Sequence, residues 1–352
     1  MTAPNQTAET IEVQGTRVPR LGFGTWQITG PDAEEAVRDT LGIGYRQIDT
    51  AREYGNEAEV GAGIAGGGVD RSEIFLTTKI FPGEHEPDAL KAAAEESLRA
   101  LQTDYLDLLL LHWPDPDVPI ERTLGALVEL KDSGKIRHLG LSNFPAGMLA
   151  TALEHAPVFC DQVEYHPFLG QDRLLKLAGE RDLLITAYSP LAHGKVPDDP
   201  TLTEIGEAHG KSAGQVALRW LLDQPSVSPI PKASSHERRV ENFEVFDFEL
   251  TAEERARIDD LPRTTAPPTR TSRRTGTPEP RWPGLGWSTP PAPWRSGYAA
   301  ACKAVHTGSI PVGASLDRLA MRDCPSPRRC GRAGRSRARQ HVAAASPPGR
   351  DA

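Results

Sequence analysis

Between Arg20 and Leu261 the chain repeats one theme eight times: a short run rich in Ile, Leu, Val and Thr, then a longer stretch with helical spacing. The short runs are RLGFGTW (20–26), RQIDT (46–50), IFLTTKI (74–80), YLDLLLLHW (105–113), IRHLGLSN (136–143), FCDQVEY (159–165), LLITAYS (183–189) and VSPIPK (227–232). They read as strands. Between them lie amphipathic stretches such as PDALKAAAEESLRAL (87–101), with apolar or small residues three and four apart. Turn signals such as Asp132-Ser-Gly134 and Glu180-Arg-Asp182 punctuate the alternation. Eight strand-plus-helix units in about 240 residues predict an α/β fold, a closed (β/α)8 TIM barrel. A doubly wound open sheet is the competitor, and eight consecutive units favour closure. Ahead of the first unit, IEVQGTRVP (11–19) reads as a β-hairpin around Gln14-Gly15 that could plug the bottom of a barrel.

From about Thr265 the alternation stops, and the text turns to Pro, Arg, Gly, Ser and Thr, with RRCGRAGRSRARQ at 328–340. Such a composition buries no core, so residues 1–263 are expected to form the barrel and 264–352 a disordered C-terminal tail. It is also what out-of-frame translation of a GC-rich gene would give. Charge divides at the same place. There are 25 Lys+Arg against 44 Asp+Glu up to Arg263, and 15 against 4 beyond it. An acidic body speaks against nucleic acid as the main partner, although a basic arm is a lesser reading of the tail. Only Cys160 lies in the body, with Cys302, Cys324 and Cys330 in the tail, which is no disulfide framework. A reducing cytoplasm is expected. MTAPNQTAET has no secretory pattern, and no run of ~18 apolar residues would span a membrane.

Residues 61–66, GAGIAG, fit the glycine pattern of a dinucleotide turn. Such a turn must follow a strand and open a helix. Here it follows Asn56-Glu-Ala-Glu-Val60, a helix start with Asn56 as a plausible cap, and it runs into Gly66-Gly-Gly68, a helix stop. Small residues packing a helix onto a barrel are the better reading.

The chemistry lies a few residues earlier. Asp49 ends the second strand, Tyr54 follows in the loop, Lys79 ends the third strand and His112 ends the fourth. In a barrel these ends ring one mouth. Alone, the Asp reads as a cap, the Lys as a rim charge and the His as a core residue; their shared placement points to a site. The set suits proton donation to a carbonyl. A tyrosine at its reference pKa of about 10 is a poor acid at neutral pH, so it must be tuned. A nearby Lys79 ammonium would lower the phenol, Asp49 would hold that ammonium, and His112 would orient the substrate oxygen. The histidines at 112, 166 and 193 are too scattered for a zinc site, and no metal is called for.

IDTAREYGNE, TTKI, LLLLHWP, GLSNF, and YSPL followed by IPKASSHERRVEN resemble the aldo-keto reductases, barrel enzymes that use a nicotinamide cofactor without a Rossmann fold. The resemblance runs from about Ile11 to Leu261, and it is closest in flavour to small bacterial reductases of 2,5-diketo-gluconate and methylglyoxal. It implies that Asp49, Tyr54, Lys79 and His112 are the catalytic tetrad, with Tyr54 as general acid. It implies a cofactor set of Gly24, Thr25, Asp49, Ser142, Asn143, Gln162, Tyr188, Ser189, Leu191, Lys232, Arg238 and Asn242. Ser142, Asn143 and Gln162 would hold the carboxamide, Tyr188 would stack under the nicotinamide, and Ser189 and Leu191 would line the pyrophosphate path. Lys232 and Arg238 would grip the 2′-phosphate of NADPH, with Asn242 near the adenine. Two cations six residues apart, at a strand end and a helix start, suit a phosphate. Trp26, His112 and Trp113 would contact substrate.

Two departures bear on specificity. Ala233 stands where the family often has Ser or Thr, which removes one hydroxyl from the 2′-phosphate site; NADPH is the expected cofactor, with NADH second. The tail does not resemble the loop that closes the family's substrate pocket. The resulting expectation is a monomeric, cytoplasmic, NADPH-dependent oxidoreductase of aldehydes and small ketones. A non-catalytic NADPH-binding or sensing protein of the same fold is the second reading.

Overall fold

The computed structural model describes residues 9–265. The expectations for the tail, disorder and out-of-frame origin alike, fall on residues outside that range, apart from Thr264 and Thr265. Strands β1 (Thr10–Val13) and β2 (Thr16–Pro19) form the expected hairpin. Gln14 and Gly15 take positive φ of 47° and 73°, the twist a two-residue hairpin turn needs. The chain continues through β3 (Phe23–Gly24), α1 (Pro31–Ile43), β4 (Gln47–Asp49), α2 (Glu57–Ala65), β5 (Phe75–Ile80), α3 (Pro87–Ala100) and β6 (Leu106–Leu111). Next come α4 (Ile120–Asp132), β7 (Ile136–Ser142), α5 (Ala146–Ala152), β8 (Val158–Glu164), β9 (Leu169–Gly170), α6 (Asp172–Arg181) and β10 (Leu184–Tyr188). The last elements are α7 (Pro200–His209), α8 (Ala213–Leu222), β11 (Val227–Pro229), α9 (His236–Phe243), α10 (Ala252–Asp259) and β12 (Thr264–Thr265).

Eight strands pair in parallel in the order β3, β4, β5, β6, β7, β8, β10, β11. The ring closes where the Gly22 N–H donates to the Pro229 carbonyl at 3.0 Å and the Gly24 N–H to Pro231 at 3.2 Å. A Cβ on Gly24 would stand 2.9 Å from the Ile230 carbonyl oxygen, so glycine is what lets the first and last strands meet. The closed (β/α)8 barrel is the predicted one, but its seam strands are shorter than the sequence implied. Residues 20–22 and 25–26 fall outside β3, and 230–232 fall outside β11.

Side chains alternate across each strand, so one face of β5 and β6 looks into the barrel and the other toward the helices. Val13 and Val18 of the hairpin pack with Phe75, Leu108, Leu110, Phe159, Cys160 and Leu184. The hairpin is thereby a stopper for the barrel interior. Gln14 holds it in place by donating from its backbone N–H to Asp182 and from its side chain to the Val158 and Asp182 carbonyls. A larger apolar shell, with Leu76, Ile80, Leu109, Leu127 and Trp220 among its members, fills the space between strands and helices.

The GAGIAG glycines behave as packing residues. A Cβ on Gly61 would stand 2.6 Å from the backbone of Leu101, and one on Gly63 would stand 2.7 Å from the Glu34 carbonyl oxygen. Both lie inside α2, where no phosphate turn exists. At the far end, Thr264 and Thr265 pair with Leu169 and Gly170, so described structure runs two residues past Arg263.

Candidate active site

Asp49 closes β4, Lys79 lies one residue before the end of β5, and His112 follows β6. All three therefore stand at the C-terminal mouth of the barrel. Tyr54 joins them from a short 3₁₀ turn, Arg52–Tyr54, which ends at Gly55 with φ 65°. The Lys79 Nζ donates to Asp49 Oδ1 at 2.5 Å, to the Thr50 carbonyl at 2.8 Å and to the Tyr54 hydroxyl at 3.5 Å. Gln162, on β8, donates to the other Asp49 oxygen at 2.7 Å. The four residues nominated from sequence thus lie within one connected cluster, and Gln162 is joined to it.

Burial would lower the Lys79 ammonium, but the charge of Asp49, the Tyr54 hydroxyl and the hydrogen bonds to both outweigh it, so Lys79 titrates above its ordinary value. Tyr54 corrects an expectation. Burial raises the phenol more than the Lys79 charge lowers it, and the net shift is upward. Tyr54 therefore keeps its proton across the neutral range. Burial, the Lys79 charge and His85 together hold His112 well below the usual imidazole value, so it is neutral. Its Nδ1 is buried with no hydrogen-bond partner. That favours the tautomer with the proton on Nε2. Tyr54 and Phe81 meet the imidazole edge-on, at ring-centre distances of 5.9 and 5.5 Å.

Beside the cluster, Asn143 takes φ 64°, a conformation Asn tolerates better than most residues. Its amide donates to the His112 carbonyl at 3.0 Å and to Ser142 Oγ at 3.1 Å, while its oxygen accepts from the Tyr188 hydroxyl at 2.8 Å. Ser142 Oγ and the Asn143 N–H both donate to the Gln162 carbonyl at 2.9 Å. Thr25 donates twice to the Asp49 carbonyl. Ser189 and Leu191 lie in the loop after β10. Trp26 and Trp113 follow strand ends at the same mouth, with Trp26 43% exposed.

Lys232, Arg238 and Asn242 lie apart from the tetrad, after β11 and on α9. Lys232 is exposed and donates to Ser234 Oγ at 2.8 Å. Arg238 is an exposed cation whose carboxylate neighbour, Glu241, is 3.7 Å away. Asn242 is buried.

Several residues that hold the site were not read from sequence. Asn56 occupies the helix-cap position of α2 but makes no cap bond. Its side chain instead accepts from Thr50 and donates to the Thr25 and Ile28 carbonyls, tying the loop after β3 to the loop after β4. Arg52 forks onto Glu84 and also reaches Glu96, which anchors the Tyr54 turn. Arg239, buried, pairs with Asp39 and donates to the Ala233 and Ser234 carbonyls, fixing the segment after Lys232. All three act across the sequence, and an arginine or asparagine in a polar loop carries no local signal of a distant partner. Among the described residues no three His, Cys, Asp or Glu are placed to hold a metal ion, and no helix is long and apolar enough to cross a membrane.

The closed (β/α)8 barrel thus carries a Tyr, a Lys, an Asp and a His together at its C-terminal mouth. The chain belongs to the Aldo/keto reductase family, whose sequence model matches residues 20–263. It is 41% identical over 262 residues to a glyoxal reductase of Bacillus subtilis (strain 168), covering 73% of this chain and 94% of that one. It is 40% identical over 250 residues to an aldo-keto reductase of Mycobacterium sp. (strain KMS), covering 70% and 90%. Among solved structures, an aldo/keto reductase from Brucella melitensis superposes with a TM-score of 0.68 at 40% identity, over 72% of this chain and 99% of that one. A Bombyx mori aldo-keto reductase in complex with NADP gives 0.67 at 33% identity, over 72% and 92%.

Proposed function

We propose that the protein is an NADPH-dependent reductase of aldehydes and small ketones, with Tyr54 as the proton donor. The observation that carries this reading is the Tyr54 hydroxyl at one end of a chain through the Lys79 ammonium to Asp49, beside a neutral His112. The residues present suit the cofactor. Lys232 has no carboxylate within ion-pair distance among the described residues, and a solvent-facing cation beside a serine hydroxyl suits a phosphate. Ser142, Asn143 and Gln162 bring amide and hydroxyl groups together for a carboxamide, and the Tyr188 ring is fixed by its bond to Asn143. Bound there, NADPH supplies the hydride that the carbonyl carbon accepts.

The protein's own part is to place and move the proton. His112 donates from Nε2 to the carbonyl oxygen and orients it. Tyr54 holds its proton until negative charge grows on that oxygen, then releases it. Lys79 steadies the phenolate left behind, and Asp49 keeps Lys79 charged and in place. Loss of NADPH absorbance by the purified full-length chain, with methylglyoxal and a nitrobenzaldehyde as substrates, tests the reading. Turnover with either supports it. Bound NADPH with no turnover on any carbonyl would replace it with a sensing role.

A further inference from the structure

The loop after β10 is held in an unusual shape. Ser189, Ala192, His193 and Gly194 take φ of 47°, 51°, 52° and 89°. Three of these are not glycine, so each sits in a region that costs L-residues energy and needs outside contacts to persist. One such contact is visible. His193 Nε2 lies 3.3 Å from Glu164 Oε1, at the end of β8. Glu164 pairs in register with Tyr188, directly below the loop.

The same carboxylate oxygen lies 3.3 Å from His166 Nε2. The Phe168 N–H donates to His166 Nδ1, so the His166 proton is on Nε2 and points at Glu164. With no lone pair turned inward, His166 is a donor here and not a metal ligand. The charged groups acting on His193 are Glu164 from β8, whose carboxylate oxygen it shares with His166, and Lys195 from its own loop.

We propose that Glu164 and His193 are positioning residues: their ion pair clasps the loop from Ser189 to Val196 against the barrel mouth, and the clasp loosens when His193 loses its proton. What the loop acts on rests on the cofactor reading above, since Ser189 and Leu191 belong to the cofactor set. The clasp itself rests on the contacts alone. The two histidine hydrogen bonds hold Glu164 down at about 2, so it stays charged throughout the useful range. The bond to Glu164 lifts His193 above its usual value. A raised imidazole stabilises the closed loop below its unfolded pKa of about 6.5, and that contribution is lost as pH climbs through the raised value.

The pair is partly exposed, so the effect is modest, roughly two- to fivefold in affinity. The test compares NADPH dissociation constants of wild type, Glu164→Gln, His193→Gln and His193→Lys at pH 6 and pH 9. His193→Gln should bind roughly two- to fivefold more weakly than wild type at pH 6 and equally at pH 9. His193→Lys should match or exceed wild type at both. Comparison at each pH cancels titration of the nucleotide itself. Amide hydrogen exchange of the cofactor-free protein, corrected for intrinsic rate, gives the second measurement. The Gly194 and Lys195 N–H groups bond within the loop, and Glu164→Gln should lose their protection at pH 6. A His193→Gln-to-wild-type ratio that is the same at both pH values, or unchanged exchange in Glu164→Gln, overturns the clasp. Absence of NADPH binding in every form, wild type included, would overturn the cofactor reading, while the exchange comparison still decides the clasp.

Discussion

Lys79 and Asp49 meet as a buried ion pair, Nζ to Oδ1 at 2.5 Å, with both side chains almost wholly shielded from water. Removing one partner strands the other in a low dielectric. Asp49→Asn should therefore cost ~3–5 kcal/mol of stability, and Asp49→Asn with Lys79→Met should recover part of it. The Lys79 value is raised in the fold, so the pair's contribution is complete below the unfolded value and is lost only as pH rises through the raised one, at strongly alkaline pH. Equilibrium urea unfolding checks both points. A single variant no less stable than the double variant would show that the pair does not hold the site together.

Tyr54→Phe removes the hydroxyl proposed to donate the proton, and with it one acceptor of the Lys79 ammonium, but keeps the ring against His112. Turnover should fall by about 10²–10⁴-fold or more, while NADPH affinity changes little. Steady-state kinetics beside fluorescence titration of NADPH separates the two. Near-normal turnover would place the acid elsewhere.

The barrel was legible because its strand and helix periods are local, and each run carries its own apolar signature. The gathering of Asp49, Tyr54, Lys79 and His112 was legible because strand ends converge on one mouth in this fold. Three things were not. The sign of the Tyr54 shift depends on how deeply the phenol is buried, which no motif states. Asn56 reads as a helix cap, but Thr25, Ile28 and Thr50 compete for its side chain and win. His166 and His193 look scattered in sequence, yet the register of β8 against β10 brings both to the Glu164 carboxylate.

Lys232 offers an ammonium with a hydroxyl partner and no competing carboxylate within ion-pair reach among the described residues. If it grips a 2′-phosphate, Lys232→Ala should lose a charge-assisted bond worth ~1.5–3 kcal/mol, so NADPH weakens by roughly 10- to 150-fold. NADH, which lacks that phosphate, should change by less than about threefold. Parallel titrations with both nucleotides decide it. Equal weakening would move the phosphate site away from Lys232.

The helix glycines make a paired prediction. A methyl on Gly61 would meet the Leu101 backbone at 2.6 Å, so Gly61→Ala must push α2 off its neighbour and should cost ~1–3 kcal/mol. Gly125, inside α4, has open space where a Cβ would go. Gly125→Ala should instead stabilise by ~0.5–1 kcal/mol through better helix propensity. Thermal unfolding of the two variants should move in opposite directions, and a loss for both would mean that propensity and packing have been misjudged at Gly125.

Asp161 stands on β8 beside Gln162, fully buried, and neither carboxylate oxygen has a well-formed hydrogen bond, the Phe144 N–H being its one weak donor among the described residues. Burial drives its value well above the ordinary one, against a weaker opposing pull from the Phe144 N–H. A carboxyl raised in the fold works against stability once the unfolded chain can ionise and the folded one cannot. That penalty is absent below the unfolded value of about 3.9 and grows as pH rises toward the folded one. Asp161→Asn keeps the shape and removes the ionisation. It should be more stable than wild type by ~1–3 kcal/mol at pH 8, with the gain shrinking as pH falls toward 4. Urea unfolding across that range reads the slope directly. A gain that is the same at both ends would assign the effect to packing, and a loss at pH 8 would mean that the ionised carboxylate finds a partner in solution.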